Sequence, residues 1–134
     1  MLFNTFTLEK TVLFYKGGEF EANAPWQHRA FVHKGDYEII YCVKGVLYIE
    51  IGDTKYQVHP NEVLIVPPFI RFHGYQDSTD SVDFYWLHFF SQFKESSFES
   101  DKNKLRDIVK GKKSKNHQIF LPDNFKLNND RQAL

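Results

Sequence analysis

His33 and Glu38 are an imidazole and a carboxylate joined by Lys34-Gly35-Asp36-Tyr37, a pairing that suits either metal ligation or a hydrogen-bonded couple. A catalytic metal normally keeps three protein ligands and one open position. One imidazole and one carboxylate leave most of an ion's shell to water, so the pair is expected to bond to each other or to a bound small molecule. No metal and no other cofactor is assigned. The chain shows no Ser/His/Asp order, glycine-rich phosphate loop or zinc-ribbon cysteine spacing, and no catalytic residue is assigned.

The elements that must hold these residues read as short strands. Asp36 to Val43 is rich in β-branched and aromatic residues and ends at Gly45, and Val46 to Ile51 follows it. Gly52-Asp53 is a two-residue hairpin signal, because glycine supplies the positive φ that tight hairpin turns require. Lys55 to His59 alternates polar and apolar, Pro60-Asn61 turns the chain, and Val63 to Val66 is stopped by Pro67-Pro68, which cannot donate to a ladder. Ile70 to Tyr75 resumes, Gln76 to Ser81 is a turn cluster, and Val82 to Phe90 is a long aromatic strand. This spacing predicts a sandwich or barrel, and closure would remove the edges of so many apolar strands.

Residues 1–25 are expected to form an N-terminal arm and first strands, broken in two at Gly17-Gly18. Residues 26–95 are the barrel core, and residues 96–134 a tail of different composition, the whole being one domain. Asp101 to Val109 reads as a short helix, Lys110 to Lys115 as a solvated basic run. The tail ends as if a longer protein had been cut.

Composition agrees. Among 134 residues there are 14 Phe and 7 Tyr, side chains that favour pleated, half-buried strands. A formal net charge of zero gives no broad positive field for a polyanion, which argues against DNA binding by this chain. The single cysteine, Cys42, is expected in the core, in keeping with a reducing cytoplasm. No apolar run approaches the roughly 20 residues that cross a bilayer, and the N-terminus lacks the form of a secretory leader. A soluble, cytoplasmic protein is expected.

The stretch from Phe31 to Phe72 resembles the metal motifs of the cupin family. His33 fits the second histidine of the first motif, Glu38 its glutamate and Gly45 its closing glycine. Asn61 stands for the first glycine of the second motif, Pro67 matches its proline, and Phe69 replaces its inner glycine. Phe31 falls where the first histidine belongs and Phe72 where the last does, so two of four ligand positions carry no donor. His73 is adjacent, but successive strand residues point to opposite faces, and only a bulge would bring it in. The resemblance implies an all-β, jelly-roll barrel.

Among cupins the chain is most similar to the N-terminal effector-binding domain of AraC-type transcription regulators. Trp26-x-His28, Asp36 to Tyr41 with Gly45, Tyr48-Ile49, Pro60 to Pro68, His73-Gly74-Tyr75 and Phe84 to Phe89 carry that similarity. It implies a small-molecule pocket, an arm that closes over the ligand, a homodimer, and DNA binding through a separate helix-turn-helix domain beyond this chain. If His33 and Glu38 face inward as in cupins, parity adds Arg29 and Phe31 to the first, Ile40 and Cys42 to the second, with Phe72 opposite. Matching Phe84 and Trp86 to the inward positions brings in Val82 and His88. Arg29, His33, Glu38, Phe72, Phe84, Trp86 and His88 are therefore the expected ligand contacts. Rings beside hydrogen-bonding groups suit a carbohydrate, although the same rings would also fill a narrow barrel. Trp26 and His28 are expected to pack together. The competing reading is a metal-dependent cupin isomerase or oxygenase, which needs zinc, iron or manganese.

Overall fold

The computed structural model describes residues 2–7, 11–91, 98–99 and 118–127. The strands, in order, are β1 (Leu2–Thr7), β2 (Leu13–Ala22), β3 (Phe31–Val32), β4 (Tyr37–Lys44), β5 (Leu47–Ile51) and β6 (Thr54–Val58). They continue as β7 (Glu62–Val66), β8 (Arg71–Gly74), β9 (Val82–Phe90), β10 (Phe98–Glu99), β11 (Gln118–Pro122) and β12 (Asn124–Lys126). Among the described residues there is no helix, and hence none long and apolar enough to cross a membrane. The expected helix at Asp101–Val109 and the basic run at 110–115 lie outside the described residues.

Every ladder is antiparallel. A five-stranded sheet in the order β12-β7-β4-β9-β2 faces a four-stranded sheet in the order β3-β8-β5-β6. Between them lies the main core: Ile40 and Cys42 of β4, Leu64 and Val66 of β7, and Val82 and Phe84 of β9 meet Leu47, Ile49, Val58 and Phe72. Ile40, Leu47, Ile49, Leu64 and Phe72 are fully buried, each worth about 1.5–3 kcal/mol of apolar burial. Side chains from both sheets meet across this part of the interior. The sandwich or barrel read from the strand spacing, and the all-β jelly roll that the cupin resemblance implied, agree with the architecture found.

A second core covers the other face of the five-stranded sheet. Tyr37, Val63, Ile65 and Phe89 pack there with Phe6 of β1, and Leu121 and Phe125 join from the C-terminal strands. Val63 to Val66 is an unbroken apolar run because β7 is covered on both faces: all four residues are buried, as such runs require. β1, β10 and β11 form a separate three-stranded sheet. Asp123, in the turn between β11 and β12, accepts hydrogen bonds from Tyr56 Oη (2.9 Å) and Asn4 Nδ2 (2.8 Å), tying both ends of the chain to the barrel. The barrel sheet thus takes strands from both sides of the expected 26–95 core.

Gly17-Gly18 does not break the N-terminal segment. β2 runs through it, paired to β9 with Gly17 opposite Leu87 and Gly18 opposite Trp86. A Cβ on Gly18 would lie 3.0 Å from Trp86 Cζ2, so this glycine marks a close approach of a ring rather than a turn. The Gly52-Asp53 hairpin joins β5 to β6 as expected, with Gly52 at φ 57°. Phe69, in the place of the motif's inner glycine, keeps a left-handed φ of 66°, and its N–H donates to the His33 carbonyl (2.8 Å). The turn before β8 therefore holds the backbone of His33.

Candidate functional site

Two imidazoles and two carboxylates form a closed ring near one end of the barrel. His33 and Asp36 come from the β3–β4 connection, Glu38 from β4 and His88 from β9. Glu38 and His88 are opposite one another in the β4–β9 ladder, where inward side chains stand close enough to interact. His33 Nε2 lies 2.7 Å from Glu38 Oε2, and His88 Nε2 lies 3.5 Å from Glu38 Oε1. On the other side, His88 Nδ1 donates to Asp36 Oδ2 at 2.6 Å, and His33 Nδ1 is 3.8 Å from the same oxygen. Each imidazole thus stands between the same two carboxylates.

Burial alone would raise the Glu38 carboxyl, but hydrogen bonds from His33 and His88 outweigh it and hold the group down at about 2. Asp36 is likewise lowered: burial opposes its charge, and the hydrogen bond from His88 with the nearby imidazoles prevails. His88 moves the other way. Burial disfavours its cation, yet its bonds to Glu38 and Asp36 raise its basicity. The ring is a buried polar floor to this end of the barrel, and buried carboxylates persist only when paired.

Aromatic side chains wall this floor. The His33 ring is 4.9 Å from Phe72 and 4.7 Å from His88, and Trp86 stands edge-on to His88 at 5.4 Å. Phe31 pairs directly with Phe72 across the β3–β8 ladder and is half exposed, so this end of the barrel reaches solvent. A strap of residues 26–28 closes one side. Ser78 N–H donates to the Trp26 carbonyl (2.7 Å), Gly74 N–H donates to the His28 carbonyl (2.9 Å), and a Cβ on Gly74 would collide with His28 N at 2.6 Å. The absent side chain seats the strap, which puts the His28 ring against Phe72 (5.3 Å) and Phe31 (5.9 Å). Burial lowers the basicity of His28.

Of the expected contacts, His33, Glu38, Phe72, Trp86 and His88 are brought together. Phe84 is buried beside Trp26 (5.6 Å) and Phe20 (5.2 Å), in the same apolar core as Phe72, with its ring 6.4 Å from that of His28. Arg29 is exposed and outside the group. Its inward placement assumed strand alternation back from Phe31, but residues 27–30 are not in a strand, and it is His28 that turns in. Trp26 and His28 do pack, edge to face at 5.7 Å. Asp36 was not among the expected contacts. It shares the parity of Glu38, the signal that would have found it. His73 faces away, 3.5 Å from Glu50 and bonded to Arg71.

A family model described as the AraC-like ligand binding domain matches residues 19–114. The chain belongs to that family. A curated relative, the uncharacterized HTH-type transcriptional regulator YisR of Bacillus subtilis (strain 168), is 32% identical over 53 residues, which is 40% of this chain and 18% of the relative. The chain therefore matches under a fifth of that regulator's length. Among solved structures, the cupin domain of Schizosaccharomyces pombe Cnp3 superposes with TM-score 0.51 at 16% identity, over 81% of this chain and 69% of that one. A predicted oxalate decarboxylase from Thermotoga maritima gives TM-score 0.52 at 10% identity, over 57% and 67%. At such identities these likenesses establish the cupin fold of this AraC-type domain and nothing of its chemistry.

Proposed function

We propose that this AraC-type domain is the sensor of a transcription regulator and takes a small polar effector, of which a carbohydrate is the favoured class, at the end of the barrel lined by His33, Glu38, Phe72, Trp86 and His88. The observation that carries the reading is the buried polar ring of His33, Asp36, Glu38 and His88 beside rings that reach solvent at Phe31. Hydroxyl groups meet fixed acceptors and donors there while an apolar face packs on an aromatic ring, the usual division of labour in a small-molecule site. The domain acts by binding, not by turnover, and DNA is contacted by a separate domain of a cytoplasmic homodimer.

Control by an effector needs different affinities for two states of the protein. The resemblance implied an arm closing over the ligand; β1 instead lies on the outer face of the five-stranded sheet, where Phe6 touches Tyr37 (5.1 Å) and Phe89 (5.6 Å). Those two residues are the chain neighbours of Glu38 and His88. Occupancy of the site would therefore reach β1 through the sheet. The test is a thermal-shift and calorimetric screen of the purified chain against a broad panel of sugars and polar metabolites, with Trp86 fluorescence as a second readout. Saturable binding that is lost in Glu38→Ala supports the reading; a full panel without a hit, on folded protein, sinks it.

A further inference from the structure

We propose that His33, Glu38 and His88 hold a divalent transition-metal ion, with Asp36 as the residue that orients His88. One ligand atom from each of the three lies within 4.8 Å of the other two. This is not the donor set of the sequence pattern discussed above, whose remaining positions hold Phe31 and Phe72. The third donor comes from β9, through the direct Glu38–His88 pairing.

The distances fit an ion. Ligand atoms bonded at 2.0–2.1 Å in a tetrahedral shell stand about 3.4 Å apart, and His88 Nε2 is already 3.5 Å from Glu38 Oε1. That separation is long for a hydrogen bond and right for a shared metal. His33 Nε2, at 2.7 Å from Glu38 Oε2, need only draw back by less than an ångström-scale side-chain adjustment. Tautomer chemistry points the same way. With His88 Nδ1–H donating to Asp36 at 2.6 Å, its Nε2 is the nitrogen turned to Glu38 Oε1. A metal ion there would take the place of the proton the two groups otherwise share. A carboxylate on the far nitrogen of a ligating histidine is also the common outer-shell arrangement, fixing ring orientation and strengthening the donor.

Two imidazoles and a carboxylate select zinc, iron, manganese or nickel over magnesium and calcium, which prefer oxygen-only shells. Three protein ligands leave at least one position for water or for an oxygen of a bound molecule. Binding of the ion does not depend on the effector reading; only its role at the pocket floor rests on that reading.

The experiment uses the full chain purified without an affinity tag, stripped with chelator, then reconstituted with zinc, manganese, cobalt or anaerobic ferrous iron. Elemental analysis and calorimetry give stoichiometry and affinity, and the visible ligand-field bands of the cobalt form report nitrogen and oxygen ligation. One ion per chain is expected for the parent and for His73→Ala and His59→Ala. Glu38→Ala and His88→Ala should lose it while remaining folded by circular dichroism. Asp36→Asn, which keeps all three ligands, should retain stoichiometry with affinity weakened about 10- to 100-fold. The proposal is overturned if folded parent protein takes up no ion, or if His88→Ala binds as the parent does. Should the alanine variants not fold, unchanged affinity in Asp36→Asn together with cobalt bands of an oxygen-only shell overturns it. An ion bound without any effector hit leaves this site standing and removes the sensor reading, and the converse result does the opposite.

Discussion

Glu38 and His88 are direct partners across the β4–β9 ladder, with Glu38 Oε1 3.5 Å from His88 Nε2. The next pair, Tyr37 and Phe89, projects from the opposite face and stacks at 5.4 Å with an interplanar angle of 15°. Phe6 of β1 caps that stack. Two adjacent rungs of one ladder therefore carry the polar site on one face and the seat of the N-terminal strand on the other.

The Phe6 ring makes an edge contact with Tyr37 and a tilted one with Phe89, and such pairs are worth about 0.5–1.5 kcal/mol beyond their buried area. Phe6→Leu keeps the apolar volume and loses both ring contacts. A fall in stability of about 1–2 kcal/mol is expected in urea denaturation, with the denaturant slope unchanged. An equal stability to the parent would show that β1 is not held by these rings.

Gly18 lies under the Trp86 indole, with room for no Cβ closer than 3.0 Å from the ring. Gly18→Val is expected to displace that ring, shift the Trp86 emission and weaken effector binding about tenfold, the equivalent of about 1.4 kcal/mol. A parallel Trp26→Phe variant isolates the Trp86 signal. Emission and affinity both matching the parent would remove Trp86 from the site.

Gly45 closes β4 at φ 76°, and a Cβ there would sit 2.5 Å from the Ser81 carbonyl oxygen. Neither the backbone angle nor a main-chain oxygen yields easily, and strained left-handed residues cost about 1–3 kcal/mol before any clash is counted. Gly45→Ala should lower Tm by well over the few degrees typical of a surface change. Calorimetry decides it, and a Tm unchanged within error would mean that the β4–β5 turn can reshape freely.

Cys42 is fully buried between Ile40 and the turn, its Sγ 3.4 Å from the Gly45 carbonyl. Burial, with the nearby Glu62 charge, pushes its thiol up to about 11. A raised value keeps the thiol protonated at neutral pH, and the thiolate is the reactive form. Alkylation of the native chain should be far slower than in urea at pH 8 and should accelerate as pH rises toward 11. Rapid native labelling at pH 7, followed by mass spectrometry, would contradict the packing.

The strands from Tyr37 to Phe90 were legible because each announces itself locally. Period-two burial along β4 and β9, the Gly52 hairpin and the proline stop after Val66 depend only on residues next to one another in the chain. The same alternation, anchored by the cupin resemblance at Glu38 and Trp86, extended the inward face to His88. It failed at Arg29, where no strand exists to enforce it, and at Gly17-Gly18, where glycine makes room for a ring instead of turning the chain. Ile119 to Pro122 and Phe125 are an apolar patch in the tail, but nothing local says that β12 returns to the edge of the barrel sheet.

By itself the sequence determined the short strands of a sandwich or barrel, since these follow from local periodicity and turn chemistry, while its resemblance to AraC-type cupin domains over residues 26–90 implied the jelly roll and the inward faces of the central strands. The tertiary structure alone decided that His88 stands opposite Glu38, that Asp36 orients it, and that His28 replaces Arg29 at the wall. Register between strands distant in sequence is fixed by packing across two sheets, and no spacing along the chain encodes it.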